Sequence, residues 1–284
     1  MFFCPARPLW LEGQNSAAVA ESPVYARADQ FVFRLSPGEH VSARLFATNV
    51  GMPYAPASVI AVRDPGGLQQ SNGSPDVAVP QDAIDFPGRV VTGADGVAEF
   101  VISAADPGNP RGYIDGQVYG IRPALEETMA SNANVDVNPW NFISVLVWTA
   151  FTPDSPPTWW GRLQPIFQQY ANLYPIMKDF VDLSSYESVA ENRELLLLAF
   201  GLDVEDPNSM PVTRDLSPAK RSAILSWLRT VPDGKPLLGT PPPALAREEV
   251  PSPEALPETR EAIVRQGGKA AAAAARLSQL STRV

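Results

Sequence analysis

One cysteine, Cys4, and one histidine, His40, are all the thiol and imidazole chemistry available in the 284-residue chain. No intrachain disulfide can form from one cysteine, and a Cys/His zinc site needs at least three ligands. A serine or cysteine hydrolase mechanism would have to use His40. That residue closes the turn-like segment 36–40 (SPGEH), ahead of an alternating strand pattern, and no nucleophile motif accompanies it. It reads as a solvated histidine. Carboxylates cluster at 203–208 (DVEDPN), but an EF-hand starting at Asp203 would put Asn208 where glycine belongs and Arg214 where glutamate belongs. The segment 267–269 (GGK) lacks a phosphate loop's other parts, since Ile263 replaces its first glycine and Ala270 its Ser or Thr. The residue types therefore point to a non-catalytic protein with no metal site.

The chain is 45% hydrophobic, enough for a substantial core, and carries a net charge of −9 from 31 acidic against 22 basic residues. No run or face concentrates Lys and Arg, so nucleic acid is not an expected partner. No apolar run approaches the roughly 20 residues of a membrane span, and the opening MFFCPARPLWLEG lacks the charged-then-apolar pattern of a signal peptide. The expectation is a soluble, cytoplasmic protein. Prolines mark the joints at 151–158 (FTPDSPPT) and 239–243 (GTPPP), the latter followed by Pro251, Pro253 and Pro257. A multidomain β + α chain follows: an arm at 1–24, a β module at 25–150, a linker at 151–158, a helical module at 159–238, a Pro-rich linker at 239–257 and a tail at 258–284.

In the β module, period-two alternation places strands at 31–35, 40–49, 57–64, 89–91, 97–104, 113–121 and 142–150. Val41, Ala43, Leu45 and Ala47 share one face of the second strand, which must be its core face. Short strands separated by turn residues imply an antiparallel β-sandwich with Greek-key connections. Residues 48–59 (TNVGMPYAPASV) and 92–100 (TGADGVAEF) resemble turns of bacterial immunoglobulin-like domains, with Gly51 and Gly96 where positive φ is common. That resemblance implies an immunoglobulin-like fold without fixing a function. The Gly-, Ser-, Pro- and Asp-rich insert between 64 and 89 reads as a surface loop.

The helical module opens with a helix over 160–170, with Leu163, Ile166, Phe167 and Tyr170 inward. A second helix over 184–201 carries Tyr186, Val189, Leu196 and Phe200 on one stripe. The third begins at Ser217 as N-cap and buries Ile224, Trp227 and Leu228. Residues 158–174 (TWWGRLQPIFQQYANLY) and 209–228 (SMPVTRDLSPAKRSAILSWL) resemble the opening and close of a c-type cytochrome domain. Where that family keeps its Cys-x-x-Cys-His haem attachment, this chain has residues 170–174 (YANLY), so covalent haem is excluded. The resemblance implies a haemless cytochrome-like bundle in which Tyr170, Leu173, Tyr174, Phe180 and Trp227 replace the lost burial. It also leaves an alternative, a noncovalent haem held by Tyr174 and Met210 in an electron-transfer or sensor protein.

Interaction candidates are the pair Trp159 and Trp160, as a wedge between modules or as a sugar-stacking platform, and the six-alanine run from Ala270 to Ala275 in the tail. The functional expectation is an accessory or scaffold subunit docking on a protein partner, an oxidoreductase if the cytochrome resemblance holds, or on a second copy. A carbohydrate- or surface-binding module is the lower alternative.

Overall fold

The computed structural model describes residues 10–13, 16–20, 22–68, 77–112, 114–130 and 141–242. Strands β1 (Trp10–Gly13) and β2 (Ser16–Ala20) form a separate antiparallel ribbon. The β module follows. Strands β3 (Val24–Ala28), β5 (His40–Asn49), β10 (Val97–Ala104) and β8 (Ile84–Asp85) form one sheet in that order, with β6 (Met52–Pro53) folded back on β5. The second sheet runs β4 (Val32–Leu35), β12 (Ile143–Val147), β11 (Gln117–Leu125), β7 (Ser58–Arg63) and β9 (Arg89–Val91).

The two sheets share one core. Alternation along β5 buries Ala43, Leu45 and Ala47, and along β10 it buries Phe100 and Ile102. These meet Phe33, Val59, Tyr119, Ile121, Ile143 and Val145 from the other sheet. Each fully buried large side chain stabilises the sandwich by roughly 1.5–3 kcal/mol. Gly96 turns the chain into β10 at φ +75°, and a Cβ there would lie 2.7 Å from the Ala47 carbonyl oxygen, so the turn requires glycine.

Four features of the sandwich depart from the sequence expectation. The sandwich is not wholly antiparallel, because β4 pairs with β12 in parallel. The strand expected over 113–121 instead begins at Gln117 and runs to Leu125, since residues 114–116 are bends with Gly116 at positive φ. The strand β3, a segment for which the sequence reading expected no strand, belongs to the sheet and buries Ala26 and Ala28. The 64–89 insert is not all surface loop: Ala83, Ile84 and Phe86 are buried in the core, and β8 pairs with β10.

The helical module has its own core. After Thr158, the wide turn Trp159–Leu163 departs from helical geometry at Gly161 (φ −70°, ψ −105°), and α2 (Gln164–Leu173) follows it. The helix expected over 184–201 is two helices, α3 (Tyr186–Glu191) and α4 (Arg193–Gly201), because Asn192 leaves helical geometry and its Nδ2 donates to the Ser188 carbonyl. α5 (Pro218–Arg229) starts at Ser217, whose Oγ accepts from the Lys220 N–H, with Pro218 in the first turn. Between β11 and β12 lies the short helix α1 (Glu126–Ala130).

Trp159, 1% exposed, sits at the centre of this core. Its ring lies 5.3 Å from Phe167 and 5.8 Å from Trp227, within the range of favourable aromatic pairs. The segment at 237–238 closes the core, with the N–H groups of Trp159 and Trp160 donating to the carbonyls of Leu237 and Leu238, and Trp227 Nε1 to that of Leu237. Arg221 links three segments by donating to the carbonyls of Phe200 (2.8 Å) and Met210 (3.1 Å) from its place on α5. No described helix is long and apolar enough to cross a membrane.

Candidate functional site

The described residues up to Gly239 form one compact unit, and its two cores meet at a groove of about 720 Å³. Such clefts at module boundaries are where ligands and partner segments most often bind. Sandwich loops supply Asn109, Gly112, Thr149 and Ala150 to one wall. The other wall is the wide turn and α2, with Lys220 from α5 at the base.

The α2 wall is a row of carboxamides. Gln164 Nε2 donates to Gln168 Oε1 at 3.4 Å, and Gln168 Nε2 donates to Asn172 Oδ1 at 3.0 Å. The helix places them four residues apart on one face, about 6 Å per step along its axis. Gln164 and Asn172 each make one of these bonds and Gln168 makes both, and each amide retains further donor or acceptor capacity. Arg162 and Lys220 line the groove with them, and no Asp or Glu does among the described residues.

Both cations are anchored from behind. Arg162 Nε lies 3.6 Å from Asp154. Lys220 Nζ lies 3.0 Å from Asp115 Oδ1, a sandwich residue, with the two side chains 15% and 1% exposed, and 5.9 Å from the centre of the Phe151 ring. The ammonium approaches Asp115 at ion-pair distance but out of hydrogen-bonding geometry, so neither carboxylate oxygen accepts a hydrogen bond. The pair is held by charge, which in a desolvated setting is strong.

Next to this pair, Tyr170 donates to Asp215 Oδ1 at 3.3 Å, and Thr213 Oγ1 donates to the same oxygen at 2.6 Å. Burial, then the nearby Asp215 and Asp115 carboxylates, push the Tyr170 phenol well above the ordinary tyrosine value. Burial likewise lowers the Arg221 guanidinium from its ordinary value.

The residues singled out from the sequence are dispersed. Trp159 is enclosed in the helical core and offers no face to a sugar; Trp160 is half-buried against the same core. Ala270 and Ala275 lie outside the described residues, as do the tail at 258–284 and most of the 239–257 linker. Tyr174 stacks on Tyr170 at 6.3 Å, and its hydroxyl is 2.9 Å from Thr213 Oγ1. Met210 packs on the core elsewhere, with its N–H on the Ala199 carbonyl.

The cavity beside Tyr174 is about 190 Å³, smaller than pockets that enclose a cofactor, and Met210 does not line it. Tyr174 and Met210 therefore do not share this cavity. Of the residues expected to replace haem burial, Tyr170 and Trp227 are buried, whereas Phe180 is 74% exposed and Leu173 lies at the groove. The short 3-10 turn Pro175–Asp179 that precedes Phe180 buries none of its residues, and Phe180 continues on its outer side.

Sequence reasoning missed the groove. Its only sequence signal is the i, i+4 spacing of Gln164, Gln168 and Asn172, which also fits an ordinary solvated helix face.

No protein-family model matches the chain, and no curated protein sequence matches it. Among solved structures it is similar to a two-domain protein of unknown function from Bacteroides fragilis, with 12% identity and a TM-score of 0.32. The match covers 45% of this chain and 46% of that one.

Proposed function

We propose that the chain is a non-catalytic accessory protein in which an immunoglobulin-like sandwich and a helical module are locked together to present the inter-module groove to a partner protein. The sheet order supports the immunoglobulin-like reading: β5 and β10 pair as the B and E strands of that fold, and β7, β11 and β12 as C, F and G. The edge strands differ, since β8 precedes β9 in the chain while joining the opposite sheet. An oxidoreductase as the partner rests on the cytochrome-like sequence pattern of the helical module alone.

The observation that carries the proposal is the dual role of Lys220, which lines the groove and pairs with a buried carboxylate of the other module. Such a pair fixes geometry more than it adds stability, and a fixed groove binds at a lower ordering cost. A photo-crosslinking residue placed at Gln169, inside the groove, tests the reading in the producing cell. One stoichiometric adduct is expected there and none from the same residue placed at Glu99, on the exposed face of β10. Equal labelling from both sites, or none from Gln169, removes the groove as the partner site.

A further inference from the structure

The chemistry of the groove specifies what it takes. In a chain of net charge −9, its lining residues include two cations, Arg162 and Lys220, and no Asp or Glu among the described residues; the carboxylates paired with the two cations, Asp154 and Asp115, are not part of that lining and leave guanidinium and ammonium protons for a ligand. Charge complementarity across an interface steers the right partner and rejects like-charged ones, so the occupant is anionic. The carboxamide row narrows it further. Gln164, Gln168 and Asn172 recur every about 6 Å along α2, close to the roughly 6.6 Å between residues i and i+2 of an extended peptide. Same-side main-chain N–H and C=O groups of a strand-like segment can therefore meet successive amides in register. The row spans about 12 Å, or about four extended residues. Its internal hydrogen bonds hold the amide planes before a ligand arrives.

We infer that the groove binds an extended, acidic peptide segment of the partner protein, with the main chain read by Gln164, Gln168 and Asn172 and the carboxylates by Arg162 and Lys220. This rests on the groove being the partner site. Lys220 keeps one side on Asp115 and the Phe151 ring and has ammonium protons left for the groove, while Arg162 is more than half exposed and reaches outward.

The test is selection of a random-peptide phage library on the full chain, followed by anisotropy titration of the enriched sequences as fluorescein-labelled synthetic peptides. Titrations use wild type, Arg162→Glu, Gln168→Ala and the control Phe180→Ser, each checked for native circular dichroism, with oligogalacturonate as a competing polyanion. Enriched peptides rich in Asp and Glu are expected, with affinity falling about tenfold or more in Arg162→Glu and about fivefold in Gln168→Ala. Binding to Phe180→Ser should be unchanged. Basic or apolar peptides that still depend on Gln168 would overturn the acidic class and leave the groove as the partner site. Acidic peptides indifferent to both groove substitutions would overturn the groove itself. No enrichment, or oligogalacturonate bound more tightly than every peptide, would overturn the peptide ligand.

Discussion

Lys220 and Asp115 approach to 3.0 Å across the boundary between the helical module and the sandwich, and the carboxylate makes no hydrogen bond of its own. Removing one member leaves the other charge buried without a counter-ion. Lys220→Met should lower stability in urea denaturation by about 3–5 kcal/mol, and Lys220→Met combined with Asp115→Leu should recover much of that loss. A double variant as unstable as the sum of the single variants would show that the pair is not coupled.

Gly116 follows Asp115 at φ +69°, and a Cβ there would fall 2.3 Å from the Val147 carbonyl oxygen. Both the left-handed backbone and the backbone collision penalise any side chain. Gly116→Ala should cost about 2–4 kcal/mol, measured by the urea midpoint, whereas Gly38→Ala, which meets no atom, should cost only the backbone strain of about 1–2 kcal/mol.

Arg221 holds the end of α4 and the loop at Met210 against α5 through backbone carbonyls. Arg221→Met keeps most of the stem but leaves those acceptors unpaired. A loss of about 2–4 kcal/mol is expected, with hydrogen exchange accelerating first at Met210 and in the last turn of α4.

Alkaline pH should loosen the helical module. The Tyr170 phenol is raised in the folded state by burial and by Asp215 and Asp115, so its contribution is fully present below the unfolded tyrosine value and is lost as pH rises above it. Stability should fall above about pH 10, with a shallower slope in Tyr170→Phe, followed by tyrosinate absorbance and circular dichroism together. Equal slopes would show that Tyr170 does not titrate with unfolding.

The sandwich was legible where alternation was strong. β5, β9 and β10 lie at their sequence-derived bounds, β5 because small or apolar residues alternate there with charged or hydroxyl ones and β10 because every second residue from Ala98 to Ala104 is apolar and buried. β8 was hidden because Ile84 and Phe86 sit in a stretch dominated by loop formers, and the parallel pairing of β4 with β12 leaves no local mark on either strand. Helix starts were readable where a cap declares itself, as at Ser217 and Pro218. The break at Asn192 was not, since the apolar stripe runs through it. The groove is a tertiary object: Asp115 and Lys220 are far apart in the chain, and nothing near either residue announces the other.

The central claim is that the groove holds a partner protein. Native mass spectrometry of the chain isolated under mild conditions from its own cells tests it most directly, comparing wild type with Arg162→Glu. The expected result is a stoichiometric complex with wild type that is depleted about tenfold in the variant, while both chains show the same fold by circular dichroism. Wild type recovered only as a free monomer, or a complex retained undiminished in Arg162→Glu, would contradict it.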